Sequence, residues 1–272
     1  MGDPLHILVT NDDGVEAPGL WRLAEALSDI GRVLVVAPLA EQSGAGTAVT
    51  YRRSIEVRAV ESRLPGVRAF AVDGTPADCV IVGLRQLREG RIGLIAAGIN
   101  PGPNLGNDVF LSGTVGAALQ GGFRGISTFA ISLDLSEEAL SRGEEPAWET
   151  AEAVARLLGR SLADGLLDKG LFLNVNVPAR PLSDLRGVEV TRVAPGGYLR
   201  LKEVRDEATG TVSRQIRPDL RWAQEEGTDV WAVHQGCLSI SPLRANLTSG
   251  DDLEALRAGA EGLFASLRDV GS

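Results

Sequence analysis

From residue 5 to residue 178 the chain alternates short apolar runs with amphipathic segments, and this alternation constrains the fold more than any other feature. LHILVT (5–10), RVLVVAP (32–38), IGLIAAG (92–98), STFAIS (127–132) and LFLNVNVP (171–178) are apolar runs of strand length. PGLWRLAEALSDI (18–30) instead carries Leu20, Leu23, Ala24 and Leu27 at helical spacing. PADCVIVGLRQL (76–87), TVGAALQG (114–121) and PAWETAEAVARLLGRSLADG (146–165) also read as helices. SIEVRAV and VRAFAV predict strands of a more exposed kind. Strands separated by helices imply crossover connections, hence an α/β fold: a largely parallel sheet with helices on both faces.

The pattern changes near residue 180, so residues 1–180 are expected to form the core and 181–272 a C-terminal extension. Within the extension, 196–228 alternates polar and apolar residues around Thr209-Gly210 and predicts a hairpin arm. VWAVHQGCLSISPL (230–243) predicts two short strands around Gly236, with His234 in the first, and residues 251–267 predict a terminal helix. A chain of 272 residues has room for such a core and its appendage. The net charge of -9 argues against duplex nucleic acid as a partner, because that binding rests on Lys and Arg. Cys79 and Cys237 lie in apolar surroundings and predict buried reduced thiols. No apolar run approaches the roughly 20 residues of a membrane span, and Met1 is not followed by a basic-then-apolar leader. The expectation is a soluble cytoplasmic protein without membrane contact.

Parallel sheets bind ligands beyond the carboxyl ends of their strands. TNDDG, EQSGAG (41–46) and GINPGPNLGNDVFLSGT (98–114) follow three such strands, and SLD (132–134) follows a later one. Asp12, Asp13, Ser43, Asn100 and Asn107 offer only oxygen donors, which suits Mg²⁺, Mn²⁺ or Ca²⁺ better than zinc or copper. A divalent ion also explains why two adjacent aspartates are tolerated at one strand tip. Ser112-Gly113-Thr114 precedes a helix, whose amides and hydroxyls form a candidate anion site. A metal beside an anion site points to a phosphate ester. Asp73-Gly74-Thr75 reads as a turn capping the helix from Pro76, and His6 as a packed core residue.

ILVTNDDGVEAPGL, VVAPLAEQSGAG, VDGTPADCV, GINPGPNLGNDVFLSGTVGAAL, FLNVNVP and GTDVWAVHQGCLSISPL together resemble the SurE (survival protein E) nucleotidase family. The resemblance implies a Rossmann-like core and a metal-dependent phosphomonoesterase acting on nucleoside 5′- and 3′-monophosphates and short polyphosphate. It implies one Mg²⁺ or Mn²⁺ per subunit, held by Asp12, Asp13, Ser43 and Asn100, with Asn11, Gly44, Asn104, Ser112, Gly113 and Thr114 around the phosphate. It further implies a homodimer or homotetramer whose subunits exchange C-terminal elements. Apolar Tyr198, Leu199, Leu201, Val204, Val212 and Ile216 along the arm fit that role. The chain departs from the family pattern at Leu39, at Gly46 and across VAPGGY (193–198).

The expected reaction is direct hydrolysis in which Asp12, Asp13 and Asn100 are catalytic and Asp12 is favoured over Asp13 as the base. Two alternatives stand beside it. A phospho-aspartate phosphatase uses aspartates two residues apart, whereas here they are adjacent. A non-catalytic nucleotide-sensing module shares the binding features without the chemistry. A dinucleotide dehydrogenase is disfavoured, since NDDG replaces the glycine fingerprint after the first strand.

Overall fold

A computed structural model of the chain describes residues 4–86, 90–135, 142, 146–195, 198–205, 211–219, 225–250 and 252–260. Five consecutive parallel pairings build its centre. They join β1 (His6–Thr10), β2 (Arg32–Pro38), β4 (Arg68–Val72), β5 (Ile92–Asn100), β6 (Ser127–Asp134) and β7 (Phe172–Pro178). With β3 (Val57–Val60), β8 (Val188–Val190) and β11 (Leu238–Leu243) they form a nine-stranded sheet ordered β3-β4-β2-β1-β5-β6-β7-β11-β8. Among the described residues, only β3–β4 and β7–β11 pair antiparallel within it.

Each strand's period of two sends alternate residues into two separate cores. Ile7, Val9, Val33 and Val35 pack with Leu20, Leu23 and Leu27 of α1 (Pro18–Ser28) and with Val154 and Leu158 of α4 (Trp148–Ala163). Leu8, Leu34, Val36 and Ile95 pack on the other face with Val80 of α2 (Pro76–Gln86) and Val115 of α3 (Gly113–Gly122). Helices on both faces of a mostly parallel sheet are therefore observed, as the alternating pattern predicts.

Two caps and one glycine set the strand-to-helix corners. Thr75 and Asp78 form a reciprocal capping box: the Thr75 amide donates to Asp78 Oδ2 (2.9 Å) and the Asp78 amide to Thr75 Oγ1 (3.2 Å). Asp78 also receives the Thr50 amide and hydroxyl at 3.0 and 2.7 Å, tying the long loop after β2 to α2. Gly19, in the first turn of α1, lies against the end of β5; a Cβ there would stand 2.1 Å from the Ile99 carbonyl oxygen. Only glycine permits this approach.

Several expectations are corrected. Residues 230–234 are not a strand: Asp229–His234 form the short helix α5, capped by Thr228, whose side chain accepts the Trp231 amide. The apolar spacing read as period two is helical, with Val230 and Val233 buried together against Leu105 and Ala194. His234 is consequently an exposed helix-end residue rather than part of an apolar strand. VRAFAV is not an exposed strand; it is β4, flanked by β2 and β3, with Ala69, Ala71 and Val72 buried. Residues 132–134 belong to β6 itself rather than to a loop after it.

In the extension, β11 continues the core sheet beside β7, while β9 (Tyr198–Arg205) and β10 (Val212–Asp219) pair antiparallel with each other. The turn expected at Thr209-Gly210 lies outside the described residues. Of the helix expected over 251–267, residues 252–260 are helical and the others lie outside the described residues. Both cysteines are buried and free. Among the described residues no helix is long and apolar enough to cross a membrane.

Candidate active site

The carboxyl edge of the sheet is where the polar loops gather, and β1 sits near its middle. The TNDDG turn leaves β1 and folds back on the end of β2. The Val15 amide donates to the Pro38 carbonyl (2.8 Å) and the Gln42 amide to the Asp12 carbonyl (2.7 Å). Gly14 adopts a φ of 101°, in the region glycine favours, which allows the reversal. Asn11 closes the turn by donating its Nδ2 to the Gly14 carbonyl at 3.0 Å.

Asp12 is buried against the start of α3. Its Oδ1 accepts the Thr114 hydroxyl at 2.5 Å. A Cβ on Gly113 would lie 2.8 Å from the Asp12 Cβ and 2.9 Å from its Oδ2. Burial pushes the Asp12 carboxyl up from its ordinary range, and the Thr114 hydroxyl with backbone groups of Asp12, Thr114 and Gly113 pulls the other way. The helix N-terminus that the sequence assigns to phosphate thus holds a protein carboxylate first.

Asp13 has no such support. Its Oδ2 is buried and has no hydrogen-bond partner. Burial raises its pKa to about 7, and the negative charges of Asp12 and Glu41 add to the rise. Asn11 Oδ1, one residue before the pair, is likewise buried and unpartnered. Unpartnered oxygens beside two adjacent carboxylates are unusual in a protein interior and make this turn the candidate site.

The other predicted residues are placed as follows. Asn100 ends β5, the parallel neighbour of β1, and its Nδ2 donates to the Gly102 carbonyl at 2.6 Å, turning Oδ1 away from that carbonyl. Ser43 is exposed on the loop after β2, where its hydroxyl donates to Glu41 Oε1 at 2.8 Å rather than to either aspartate. Gly44 beside it is exposed, with φ +78° and nothing within reach of a Cβ. Ser112 caps α3, its Oγ accepting the Val115 amide at 3.1 Å. Asn104 is buried and bonded to Ser132, Asn174 and Asn176. Asn107 is exposed on the 3-10 turn Gly106–Phe110. Asp12, Gly113 and Thr114 are therefore in direct contact, Asn11 and Asp13 adjoin them, and Asn100 shares their sheet edge. Ser43 is engaged elsewhere, and Asn104 is held through its backbone and one side-chain N–H.

Sequence reasoning missed the buried side chains that hold this edge together. Asp229 is fully buried and accepts the amides of Gly106, Ala194 and Val230, each at 2.9 Å. Asn174 and Asn176 are fully buried on β7. Their signal was present in FLNVNVP, where two amides recur at period two inside an apolar strand.

The donor chemistry fits a hard divalent cation. Two carboxylates, an amide oxygen and a hydroxyl supply oxygen only, and Asp13 Oδ2 and Asn11 Oδ1 already stand without partners. Among the described residues no group of three or more His, Cys, Asp or Glu is placed to hold an ion.

Residues 7–199 match the family model described as Survival protein SurE. The chain belongs to the SurE family. A Dehalococcoides mccartyi (strain CBDB1) relative named 5′-nucleotidase SurE is 39% identical over 264 residues, covering 97% of this chain and 98% of its own. The 5′-nucleotidase SurE 1 of Thermus thermophilus is 42% identical over 261 residues, covering 95% of this chain and 99% of its own. The crystal structure of the SurE protein from Aquifex aeolicus superposes with a TM-score of 0.76 at 34% identity, covering 93% of this chain and 98% of that one. The nine-stranded sheet and its flanking helices are thus a SurE fold.

Proposed function

We propose that the chain is a divalent-metal-dependent 5′-nucleotidase that hydrolyses nucleoside 5′-monophosphates to nucleoside and phosphate. One observation carries the reading: Asp13 presents a buried carboxylate oxygen without a donor, next to the buried Asp12, at the ligand-binding edge of an α/β sheet. Such a pair is stabilised when a cation lies between its members. The names of the relatives supply the substrate class.

In this reading Asp12, Asp13, Ser43 and Asn100 hold one Mg²⁺ or Mn²⁺ per subunit, for which Ser43 leaves Glu41. When bound, the ion supplies Lewis-acid polarisation of a phosphoryl oxygen and acidifies a water. The remaining work belongs to the chain's own groups. Thr114 fixes the rotamer of Asp12 through its hydroxyl. Asn11, Gly44, Asn104, Ser112 and the amides at Gly113 and Thr114 stabilise charge on the transferring group. Asp13 is the better acceptor for the proton of the attacking water, because Asp12 Oδ1 is already occupied by Thr114. The hydrogen bonding thus favours a different base from the one the sequence favours. The family resemblance extends the substrates to nucleoside 3′-monophosphates and short polyphosphate. The hairpin β9–β10 pairs with no other strand of the described residues, and an isolated hairpin is marginal in water. It is completed by a second subunit, giving a homodimer or homotetramer.

Assaying free phosphate from AMP with Mn²⁺ and with chelator tests the reading. Metal-dependent release that vanishes in both Asp12→Asn and Asp13→Asn is expected. Near-normal turnover in both variants overturns the site, and nucleotide binding with no phosphate release restores the sensing module. An acyl-phosphate trapped on Asp12 restores the phospho-aspartate route.

A further inference from the structure

We propose that Asn174 and Asn176 are positioning residues for the reaction, acting through Asn104; the proposal rests on the reading that Asn104 contacts the phosphoryl group. Asn104 lies in the loop between β5 and α3, and its backbone is held by side chains from the distant strand β7. Asn176 Oδ1 accepts the Asn104 amide at 2.8 Å, while its Nδ2 donates to the Asn104 carbonyl at 3.1 Å. Its carboxamide thereby does for one loop residue what a neighbouring strand does in a ladder. Asn174 Nδ2 donates to the same carbonyl at 2.8 Å. On β6, Ser132 pairs in register with Asn176 and accepts Asn104 Nδ2 at 2.7 Å. The backbone and one side-chain N–H of Asn104 are thus committed, and its Oδ1 and second N–H remain to meet a ligand.

Asn174 is the less costly of the two to remove, because the Asn104 carbonyl then keeps the Asn176 donor. Both sit fully buried in β7, on the sheet face opposite Leu173, Val175 and Val177. Asn174 Oδ1 is buried without any partner, a defect that costs about 1–3 kcal/mol. A buried polar group kept at such expense is explained by what it orients. The grip also has a second end, since Asp229 Oδ2 accepts the Gly106 amide at 2.9 Å. Residues 104–106 are therefore fixed on both sides by side chains from distant elements, in the loop that leads from β5 to α3.

The test uses the full chain with AMP and Mn²⁺, measuring kcat, KM and melting temperature. Asn174→Leu deletes one donor and the orphaned oxygen together. Its melting temperature is expected to hold or rise while kcat falls about tenfold. Asn176→Asp places an oxygen against the Asn104 carbonyl and is expected to lower kcat about 100-fold, as small displacements near a reacting centre do. In the Asn104→Ala background the loss from either substitution is expected to shrink to under about threefold, because residues acting as a unit are non-additive. A stable Asn174→Leu variant with wild-type kcat overturns the proposal, as do losses that multiply in full in the Asn104→Ala background. Should Asn176→Asp fail to fold, Asn174→Leu decides alone. A damaging Asn104→Ala with neutral Asn174→Leu defeats the proposal only, whereas a neutral Asn104→Ala defeats the phosphate role of Asn104 and the proposal with it.

Discussion

At the tip of β1 the Oδ2 of Asp13 is shut away from solvent with no donor, whereas at the start of α5 both oxygens of Asp229 are engaged by backbone amides. Burial pushes both carboxyls upward. At Asp229 the opposing influences are hydrogen bonds from Gly106, Ala194 and Val230; at Asp13 the like charges of Asp12 and Glu41 add to the rise. Equal chemistry in unequal surroundings separates the roles. The satisfied acid fastens two loops and a helix, and the unsatisfied one is the acid we propose as a cation ligand.

The comparison breaks first at activity. Asp12→Asn or Asp13→Asn is expected to reduce metal-dependent phosphate release by about 10³-fold or more, about 4 kcal/mol of transition-state stabilisation, read as kcat/KM. Asp229→Ala is expected to act mainly on stability, losing about 3 kcal/mol in urea unfolding by leaving buried amides without an acceptor. An Asp229→Ala variant as stable as the parent would erase the distinction between the two regions. Next in size, Mn²⁺ at a concentration about a hundredfold above its dissociation constant is expected to stabilise the parent by about 2.7 kcal/mol and to leave Asp13→Asn almost unmoved in thermal melts.

The smallest effect per step of the condition varied, a single pH unit, sharpens the comparison through titration. Asp13 titrates at about 7 when folded, whereas an unfolded aspartate titrates near about 3.9. Between those values the folded chain keeps a proton that the unfolded chain has lost, so stability without metal falls as pH rises through this window and levels above it. The slope is expected to approach about 1.4 kcal/mol per pH unit and to flatten in Asp13→Asn, checked by denaturant titration in chelator across the window.

The alternating pattern made the parallel core legible, because buried strands and amphipathic helices leave different periods in the sequence. Asp12 and Asp13 were legible for a related reason: two acids abutting an apolar run violate the pattern around them. The engagements of Ser43 and Asn104 were not legible. Glu41 lies two residues from Ser43, and nothing in the local pattern says which oxygen its hydroxyl will choose. The partners of Asn104 arrive from β6 and β7, a separation of 28 to 72 residues that no short window sees. Helix α5 was mistaken for strand because six residues give too few turns to tell periods apart. Asp229 carries no local signal, because its partners Gly106 and Ala194 reach it only when distant loops converge.

Gly19 carries a consequence for how such a site can vary. The aspartate turn enters α1, and Asn100 ends β5 directly after Ile99, so the gauge between these two segments of the proposed site is set where a bare Cα rests on the Ile99 carbonyl. That gauge admits no fine adjustment, since the next larger residue already brings a full carbon into occupied space. Divergence among enzymes built this way is therefore expected in loops such as 39–50, while the spacing at the floor stays locked.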